Sequence, residues 1–400
     1  MTKTRKYKKN SKRYKLIRHT TKVPKSNYIN LKEKSYSPSV NKKINIKKTD
    51  DNVIDLFSCK KKIPKKMSYH FTKKKLKKID AKFLSKLKKF IYGIEINVDL
   101  KKTICNNLST KSALNAMLHN IYHQQPLIIK NITPPKQILS NCWFNTFFVI
   151  FFISDKGRKF FKHFRELMVT GKTINNKLIE PSLRASLILL NYSIEASYNY
   201  FGNSGGIAKK MDTNYLINFI FNSIHKNIYK HERTWLGNVN EAGNPLRYYN
   251  IIIDYLDSSI INILKIEPFI NNKIDTEYIQ SKLNQIDKPP HIIVIEIMED
   301  YVYDKDETYI LNLKSGRVIY KLDSIVIRTT NGDHFAATIT CNDKELVFDG
   351  AGKNRLAYMN WKSKINNNED WTIQSKFHSA SDNINWNFKN GYQMMFYYRI

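Results

Sequence analysis

A short segment near the middle of the chain, followed by an apolar run, constrains the fold more than any other feature. The segment is Gln137-Ile-Leu-Ser-Asn-Cys142-Trp-Phe-Asn145-Thr146, and the apolar run covers residues 147–153. A helix that is apolar on all sides is typical of a protein core, so the run predicts a buried helix. Pro134-Pro135 interrupts regular secondary structure just before the segment, which predicts that the functional part of the domain begins there.

Cys142 has the surroundings of an activated thiol. A cysteine that opens a helix lies near unpaired backbone N–H groups and the positive end of the helix dipole, which favour the thiolate. Gln137 can direct an amide N–H towards the same point, as an oxyanion-hole donor must, and Asn141 is also placed to donate. Taken alone, Cys142 fits a buried structural thiol better than a catalytic one, because free cysteines are commonly buried.

The positive charge of the chain is concentrated in its first quarter. The net charge is +33, and residues 1–90 contain 31 Lys and Arg against 5 Asp and Glu. Residues 1 to about 60 are rich in Lys, Arg, Asn, Ser and Tyr and contain few apolar residues. Such a segment cannot bury enough apolar surface to fold, so we expect it to be disordered. Apolar residues at three- and four-residue steps predict an amphipathic, lysine-rich helix over 71–90. We therefore expect a basic, largely disordered arm over 1–90 and a nearly neutral globular domain over 91–400.

The basic arm is compatible with several roles. Its lysines can bind nucleic acid or another polyanion non-specifically, and its apolar stripe can lie on an anionic membrane. Alternatively, the stripe packs on the globular domain and the lysines are solvated. An AT-rich genome favours Lys, Asn and Ile, so codon usage accounts for some of the lysines.

Cysteine spacing and hydropathy indicate the compartment. The four cysteines, Cys59, Cys105, Cys142 and Cys341, are widely spaced and form no C-x-x-C pair. We therefore expect no disulfide framework, no metal and no other cofactor, and an intracellular, reducing compartment such as the cytoplasm or nucleus. The longest apolar run is shorter than the roughly 20 residues that span a bilayer, so no transmembrane segment is expected.

His119 and His123 stand four residues apart and could face a metal from one side of a helix. No third ligand accompanies them in the sequence, so ordinary surface or core histidines are the better interpretation.

Helix signals precede strand signals along the globular domain. Residues 143–167 predict a helix with a break near Asp155, and residues 175–230 are mostly helical. The pattern over 245–300 shifts towards strands, and 292–297 predicts a buried one. Further strands are predicted over 322–327, 335–340, 345–348 and 391–400, the last of them central. A helical half and a sheet half make an α+β protein with a cleft between them.

His334 and Asp349 lie at the open end of one predicted hairpin. Antiparallel pairing about an Asn342-Asp343 turn brings the two side chains within reach, as an imidazole and its orienting carboxylate must be. Together with Cys142 they predict a Cys–His–Asp hydrolase, in which His334 is the base.

Three segments together resemble the sequence boxes of the ubiquitin-specific proteases. Cys142-Trp-Phe-Asn145-Thr146 is similar to the cysteine box, and 392–397 to the closing strand. Residues 320–327, Gly332-Asp333-His334-Phe335 and 347–349 are similar to the histidine box. The boxes occur in the family's order over about residues 130–400. The differences from the family are Gln137 for asparagine, Leu139 for glycine, Asn141 for threonine, the insertion of Asp333, and the lack of zinc-binding C-x-x-C pairs.

The resemblance implies a papain-like cysteine peptidase fold without a zinc-bound fingers region. A helical thumb would span about 130–230 and an antiparallel β-palm about 245–400. The implied reaction is hydrolysis of (iso)peptide bonds after the C-terminus of ubiquitin or a ubiquitin-like modifier, whose conjugates would be the partners. Cys142 would be the nucleophile, His334 the base and Asp349 its orienting group, with Gln137 or Asn141 in the oxyanion hole.

Two other functions fit the sequence. The same triad could process a polyprotein, or the globular domain could be an inactive relic of the protease fold in a basic structural or nucleic-acid-binding protein. The AT-rich composition and the divergent boxes would suit a large DNA virus, which would place the chain in an infected host cell or a virion.

Overall fold

A computed structural model describes most of the chain from Cys105 onwards and a few residues before it. The described residues are 53–54, 56, 95–98, 105–138, 140–202, 213–214, 216–217, 219–220, 223, 245–268, 273–299, 301–330, 334–352, 355–373 and 385–400. The helix predicted over 71–90, Leu139 and the Gly332-Asp333 pair lie outside them.

The described residues form an α+β structure, as predicted. The helices are α1 (Lys111–Tyr122), α2 (Cys142–Phe152), α3 (Asp155–Thr170), α4 (Pro181–Tyr198), α5 (Pro245–Leu256) and α6 (Thr276–Leu283). The strands are β1 (Glu95–Asn97), β2 (Cys105–Asn107), β3 (Ile263–Ile266), β4 (Ile292–Ile297), β5 (Thr308–Leu313), β6 (Gly316–Arg328), β7 (Phe335–Cys341), β8 (Lys344–Phe348), β9 (Leu356–Tyr358), β10 (Asp370–Trp371), β11 (Trp386–Asn387) and β12 (Gln393–Arg399).

Most of the strands belong to one sheet, in the order β3-β4-β12-β6-β7-β8-β9, with β5 paired to β6. β3 and β4 are parallel, and the other pairs are antiparallel. The last strand, β12, lies between β4 and β6, which confirms the prediction of a central final strand. The strands predicted within 292–348 are confirmed as β4, β6, β7 and β8.

Both faces of the sheet are covered by apolar side chains. Ile292 and Val294 of β4 enter a cluster that they share with the helices, whereas Ile293 and Ile295 enter a second cluster on the opposite face. All residues of β4 are therefore buried, which explains why residues 292–295 are all apolar and do not alternate with polar ones.

Helix α2 lies between the sheet and α5, and all of its residues are buried. The rings of Phe147 and Phe151 each lie 5.6 Å from the ring of Phe396 on β12. On the other side, the rings of Phe144 and Phe147 stack on Tyr249 of α5 at 5.7 and 6.2 Å. Neighbours on both sides explain why the run after Cys142 has no polar face.

The predicted break near Asp155 is confirmed at Ile153 and Ser154, between α2 and α3. The Ser154 hydroxyl accepts a hydrogen bond from the Gly157 N–H at 3.1 Å and so caps α3. A Cβ atom at Gly157 would lie only 2.1 Å from the Ile150 carbonyl oxygen. Glycine is therefore required where α3 turns back against the end of α2.

The structure departs from expectation at α5 and α6. The region 245–300 is expected to favour strands, but Thr276–Leu283 is a helix. Pro245–Leu256 is a helix as well. Its aromatic and β-branched residues favour strands locally, yet Tyr249, Ile252 and Ile253 lie on one helical face that packs into the core. Tertiary packing overrides local propensity here.

Three residues of the predicted arm are part of the core. Val53, Ile54 and Leu56 are buried. The backbone N–H and carbonyl of Ile54 pair with the side-chain amide of Asn120 on α1 at 2.7 and 2.9 Å. The chain before the globular domain is therefore anchored to it well before residue 90.

Cys105 is disulfide-bonded, although the wide spacing of the cysteines predicts no disulfide framework. Wide spacing in sequence does not prevent two cysteines from meeting once the chain folds. Cys142 and Cys341 are free thiols, and both are buried.

The remaining expectations concern membranes and metals. None of the helices in the described ranges is both long and apolar enough to cross a bilayer. The described residues also contain no group of three or more His, Cys, Asp or Glu side chains that could hold a metal ion. His119 and His123 pack against each other, with ring centroids 4.3 Å apart.

Candidate active site

The sequence-predicted residues Cys142, His334 and Asp349 lie close together. The site is formed by the start of α2 and the open end of the hairpin of β7 and β8. Cys142 is the first residue of α2 and is 8% exposed. His334 directly precedes β7, and Asp349 directly follows β8. These two strands pair about a two-residue turn in which Asn342 and Asp343 have φ values of 49° and 57°, as in a type I′ hairpin.

His334 and Asp349 form a close ion pair. His334 Nε2 lies 2.7 Å from Asp349 Oδ1, and the side chains are 13% and 0% exposed. The same carboxylate oxygen accepts the Ala351 N–H at 2.9 Å, which fixes the carboxylate against the turn that follows β8. The carboxylate in turn fixes the orientation of the imidazole ring.

The His334 ring also forms a hydrogen bond with the Cys142 side chain. Because Nε2 faces Asp349, Nδ1 is the nitrogen that remains for the thiol. Burial alone would lower the pKa of His334, but hydrogen bonds and charge attraction from Asp349 and Cys142 outweigh it and raise the pKa to about 9. The ring therefore carries a proton at neutral pH and can stabilise a thiolate beside it.

Gln137 is held next to the turn that carries Asp349. Its backbone N–H donates to the Gly350 carbonyl at 2.9 Å. A Cβ atom at Gly350 would lie 3.3 Å from both the Cβ and the backbone nitrogen of Gln137, so this approach leaves little room for a side chain. The segment before Cys142 is thus joined directly to the strand end that bears the carboxylate.

Asn141 is fully buried and takes part in a hydrogen-bonded ring with Asn145 and Thr213. The Asn141 amide donates to the Thr213 hydroxyl at 3.0 Å, and that hydroxyl donates to the Asn145 carbonyl oxygen at 2.6 Å. The Asn145 amide closes the ring by donating to Asn141 Oδ1 at 3.2 Å. Asn141 Oδ1 also accepts the Ile138 N–H at 2.8 Å, so these contacts fix the start of α2.

Three residues of the site were missed by sequence reasoning. The ring of Trp386 lies 5.8 Å from the ring of His334 and is buried, so it shields the imidazole from water. The Thr146 hydroxyl bonds to the Cys142 carbonyl at 2.7 Å and approaches the Phe335 carbonyl at 3.5 Å, which links the thiol helix to the histidine strand. Thr213 closes the ring described above. Only Thr146 had a sequence signal, as part of the cysteine box.

Cys341, the other free thiol, lies at the far end of β7 from His334 and is fully buried. Burial raises the pKa of its thiol to about 12. It is therefore a protonated structural thiol and not a rival nucleophile.

Comparison with known proteins gives distant structural neighbours. No protein-family model matches the sequence, and no curated protein is significantly similar to it. A solved SAGA DUB module containing Ubp8, Sgf11, Sus1 and Sgf73, bound to monoubiquitin, is similar at 9% identity and a TM-score of 0.40, over 80% of this chain and 84% of that one. The same module bound to ubiquitin aldehyde is similar at 10% identity and a TM-score of 0.39, over 80% and 83%.

A yeast SAGA DUB module is similar at 10% identity and a TM-score of 0.37, over 80% of this chain and 83% of that one. Similarity at this level does not by itself assign a function.

Proposed function

We propose that this chain is a cysteine peptidase with a papain-like fold, in which Cys142 is the nucleophile, His334 the acid–base group and Asp349 the residue that orients it. The observation that carries the proposal is that one imidazole contacts both a buried carboxylate, at 2.7 Å, and a thiol at a helix N-terminus. A histidine held in this way is what an activated thiol nucleophile requires.

The proposed reaction has two steps. The Cys142 thiolate attacks the carbonyl carbon of the scissile bond, and the protonated His334 gives its proton to the leaving amine as the thioester forms. Water then attacks the thioester while neutral His334 takes its proton, and the thiol is regenerated. Asp349 holds the ring through Nε2 in both steps and stabilises its charged form.

The oxyanion of each tetrahedral intermediate is assigned to Gln137 and to backbone N–H groups at the start of α2. Gln137 is supported by its fixed position beside Gly350. One such donor typically contributes about 2.7–4 kcal/mol to the transition state. Asn141, the other sequence candidate, is assigned to positioning the start of α2, because its amide already bonds to Thr213 and Asn145.

The proposed substrate is ubiquitin or a ubiquitin-like modifier, cleaved after its C-terminus. Support for this choice comes from the three sequence boxes, two of which contain the triad residues. In this proposal the helices α2–α4 belong to the thumb, over about residues 130–230, and the large sheet forms the palm, over about 245–400. The alternative of polyprotein processing uses the same triad and differs only in the substrate.

The test is a ubiquitin with a C-terminal electrophile, applied to the purified full-length chain. We expect a covalent adduct with the wild type and with Cys341→Ala, and none with Cys142→Ala. Adduct formation by Cys142→Ala would overturn the nucleophile assignment. Alkylation of Cys142 by a small electrophile without any reaction of the ubiquitin probe would overturn ubiquitin as the substrate.

A second proposed activity is non-specific polyanion binding by the basic N-terminal residues. Residues 1–50 contain 17 Lys and Arg against 2 acidic residues, which supports it. Deletion should stop at residue 50, because Val53, Ile54 and Leu56 are core residues. We expect the full chain to bind nucleic acid with a steep salt dependence and the shortened chain to lose that binding. Equal binding by both chains would contradict the proposal.

A further inference from the structure

A cavity of about 520 Å³ opens at the opposite end of β7 from the candidate active site. Its walls include the first turn of α3, the Asn342-Asp343 turn and residues 321–323 of β6. β7 runs from beside His334 to this cavity, so the two sites lie about 23 Å apart along the strand. The volume is within the range of about 300–1,000 Å³ that small-molecule sites occupy.

Cationic side chains predominate around the cavity. Five basic and three acidic residues line it. Lys156, Lys159 and Lys321 make no ion pair with any residue that the structure describes. Of the acids, Asp155 is already used within the fold, because its two carboxylate oxygens accept the backbone N–H groups of Asn342 and Asp343 at 2.9 and 3.2 Å.

Two buried residues of the cavity wall carry polar atoms without a hydrogen-bond partner. Asp323 is 3% exposed, its Oδ1 accepts the backbone N–H of Lys156 at 3.4 Å, and its carboxyl lies against the Ser154 side chain, while its Oδ2 has no hydrogen-bond partner. Arg158 is 7% exposed and donates through Nη2 to the Gln125 carbonyl at 3.0 Å, while its Nε has no partner. Buried polar groups are normally paired, so both atoms are available to a polar ligand in the cavity.

We propose that this cavity binds a small phosphorylated anion, with Lys156, Lys159 and Lys321 around its phosphate groups and Asp323 and Arg158 at the inner wall. Lysine ammonium groups bind phosphates as point charges. The first turn of α3 adds the positive end of a helix dipole. The site is independent of the chemistry proposed for Cys142.

The protonation of Asp323 fits an anionic ligand. Burial raises the pKa of this carboxyl to about 7, so it is protonated about half of the time at neutral pH. A protonated carboxyl can donate a hydrogen bond to a phosphate oxygen, where a carboxylate would repel it. A cavity of this volume also favours a small anion over a polymer, which needs an extended groove.

The test uses tripolyphosphate as the probe and the full-length chain as the protein. Calorimetry should show saturable binding, and the unfolding temperature should rise with tripolyphosphate concentration, because a ligand of the native state stabilises it. The double variant K159Q/K321Q removes two exposed cavity lysines. Losing two charged contacts should weaken binding at least about tenfold.

The matched control is K177Q/K314Q, which removes two exposed lysines that do not line the cavity. This control should bind tripolyphosphate as the wild type does. The basic N-terminal residues are present in both double variants, so any binding by them contributes equally to the two measurements. No rise in unfolding temperature at millimolar tripolyphosphate would overturn the proposal. So would equal weakening in both double variants, or equally tight binding of citrate, since either result would indicate non-specific attraction of anions.

Discussion

His334 Nε2 lies 2.7 Å from Asp349 Oδ1, and the carboxylate is completely buried. This contact leaves the opposite ring nitrogen for the Cys142 thiol and keeps the ring protonated at neutral pH. The pair therefore determines both the direction and the charge of the imidazole, and several predictions depend on it.

The first prediction concerns the pKa of His334. Replacing Asp349 with Asn removes the strongest interaction that raises this pKa, so it should fall from about 9 towards the ordinary value of 6.5. NMR titration of the His334 ring protons measures it. Asp257→Asn is the matched control, because it removes the partner of His163 at 3.0 Å and should leave the His334 pKa unchanged.

The same contact makes stability depend on pH. The pKa of His334 is raised on folding, so its contribution to the free energy of unfolding is complete below about pH 6.5 and is lost as pH rises through about 9. Urea unfolding at pH 6 and pH 10 should show this loss in the wild type and a smaller one in Asp349→Asn. An equal loss in both proteins would contradict the assignment.

The second prediction concerns thiol reactivity in the folded chain. Iodoacetamide should alkylate Cys142 and leave Cys341 unmodified, because burial raises the pKa of the Cys341 thiol to about 12. His334→Ala should slow alkylation of Cys142 by removing the cation beside the thiolate. Peptide mapping by mass spectrometry gives both rates, and a Cys341 that reacts as fast as Cys142 would refute the distinction.

The third prediction tests the contact between Gln137 and Gly350. Gly350→Ala adds a Cβ atom 3.3 Å from Gln137 and should displace the segment that precedes the thiol. We expect kcat to fall at least about tenfold, since small displacements of catalytic groups are costly. The unfolding midpoint, measured in parallel, should change little. A large loss of stability with unchanged kcat would instead make Gly350 a purely structural residue.

The fourth prediction concerns the buried ring of Asn141, Asn145 and Thr213. Thr213→Val removes a hydroxyl that both donates and accepts, so the protein should lose about 1–3 kcal/mol of unfolding free energy. Thr213→Ser keeps the hydroxyl and should retain most of the stability and activity. Thr170→Val is the control, because the Thr170 hydroxyl bonds only to the Leu167 carbonyl at an exposed helix end.

The residues that stand in a recognisable local pattern are predictable from the sequence. Cys142 precedes an apolar run, and His334 and Asp349 flank two strands that share a turn, so spacing alone brought them together. The observed pairing places Ala337 opposite Phe348, so His334 reaches Asp349 diagonally and not directly across the ladder. Period-two alternation predicts strands but does not fix their register.

Other features had no local signal. Trp386 and Thr213 lie far from the triad in sequence, and only the folded chain places them beside it. The helix at Pro245–Leu256 was missed because its tyrosines and isoleucines also suit a strand. The disulfide at Cys105 was missed because cysteine spacing does not report which segments meet.

The position of β12 has a consequence for synthesis of the chain. Residues 393–399 fill the gap between β4 and β6, so these two strands expose unpaired backbone groups until residues 393–399 have left the ribosome. A nascent or prematurely terminated chain would present two open apolar edges at once. Chaperone dependence and inclusion-body formation should therefore increase sharply when the last strand is removed.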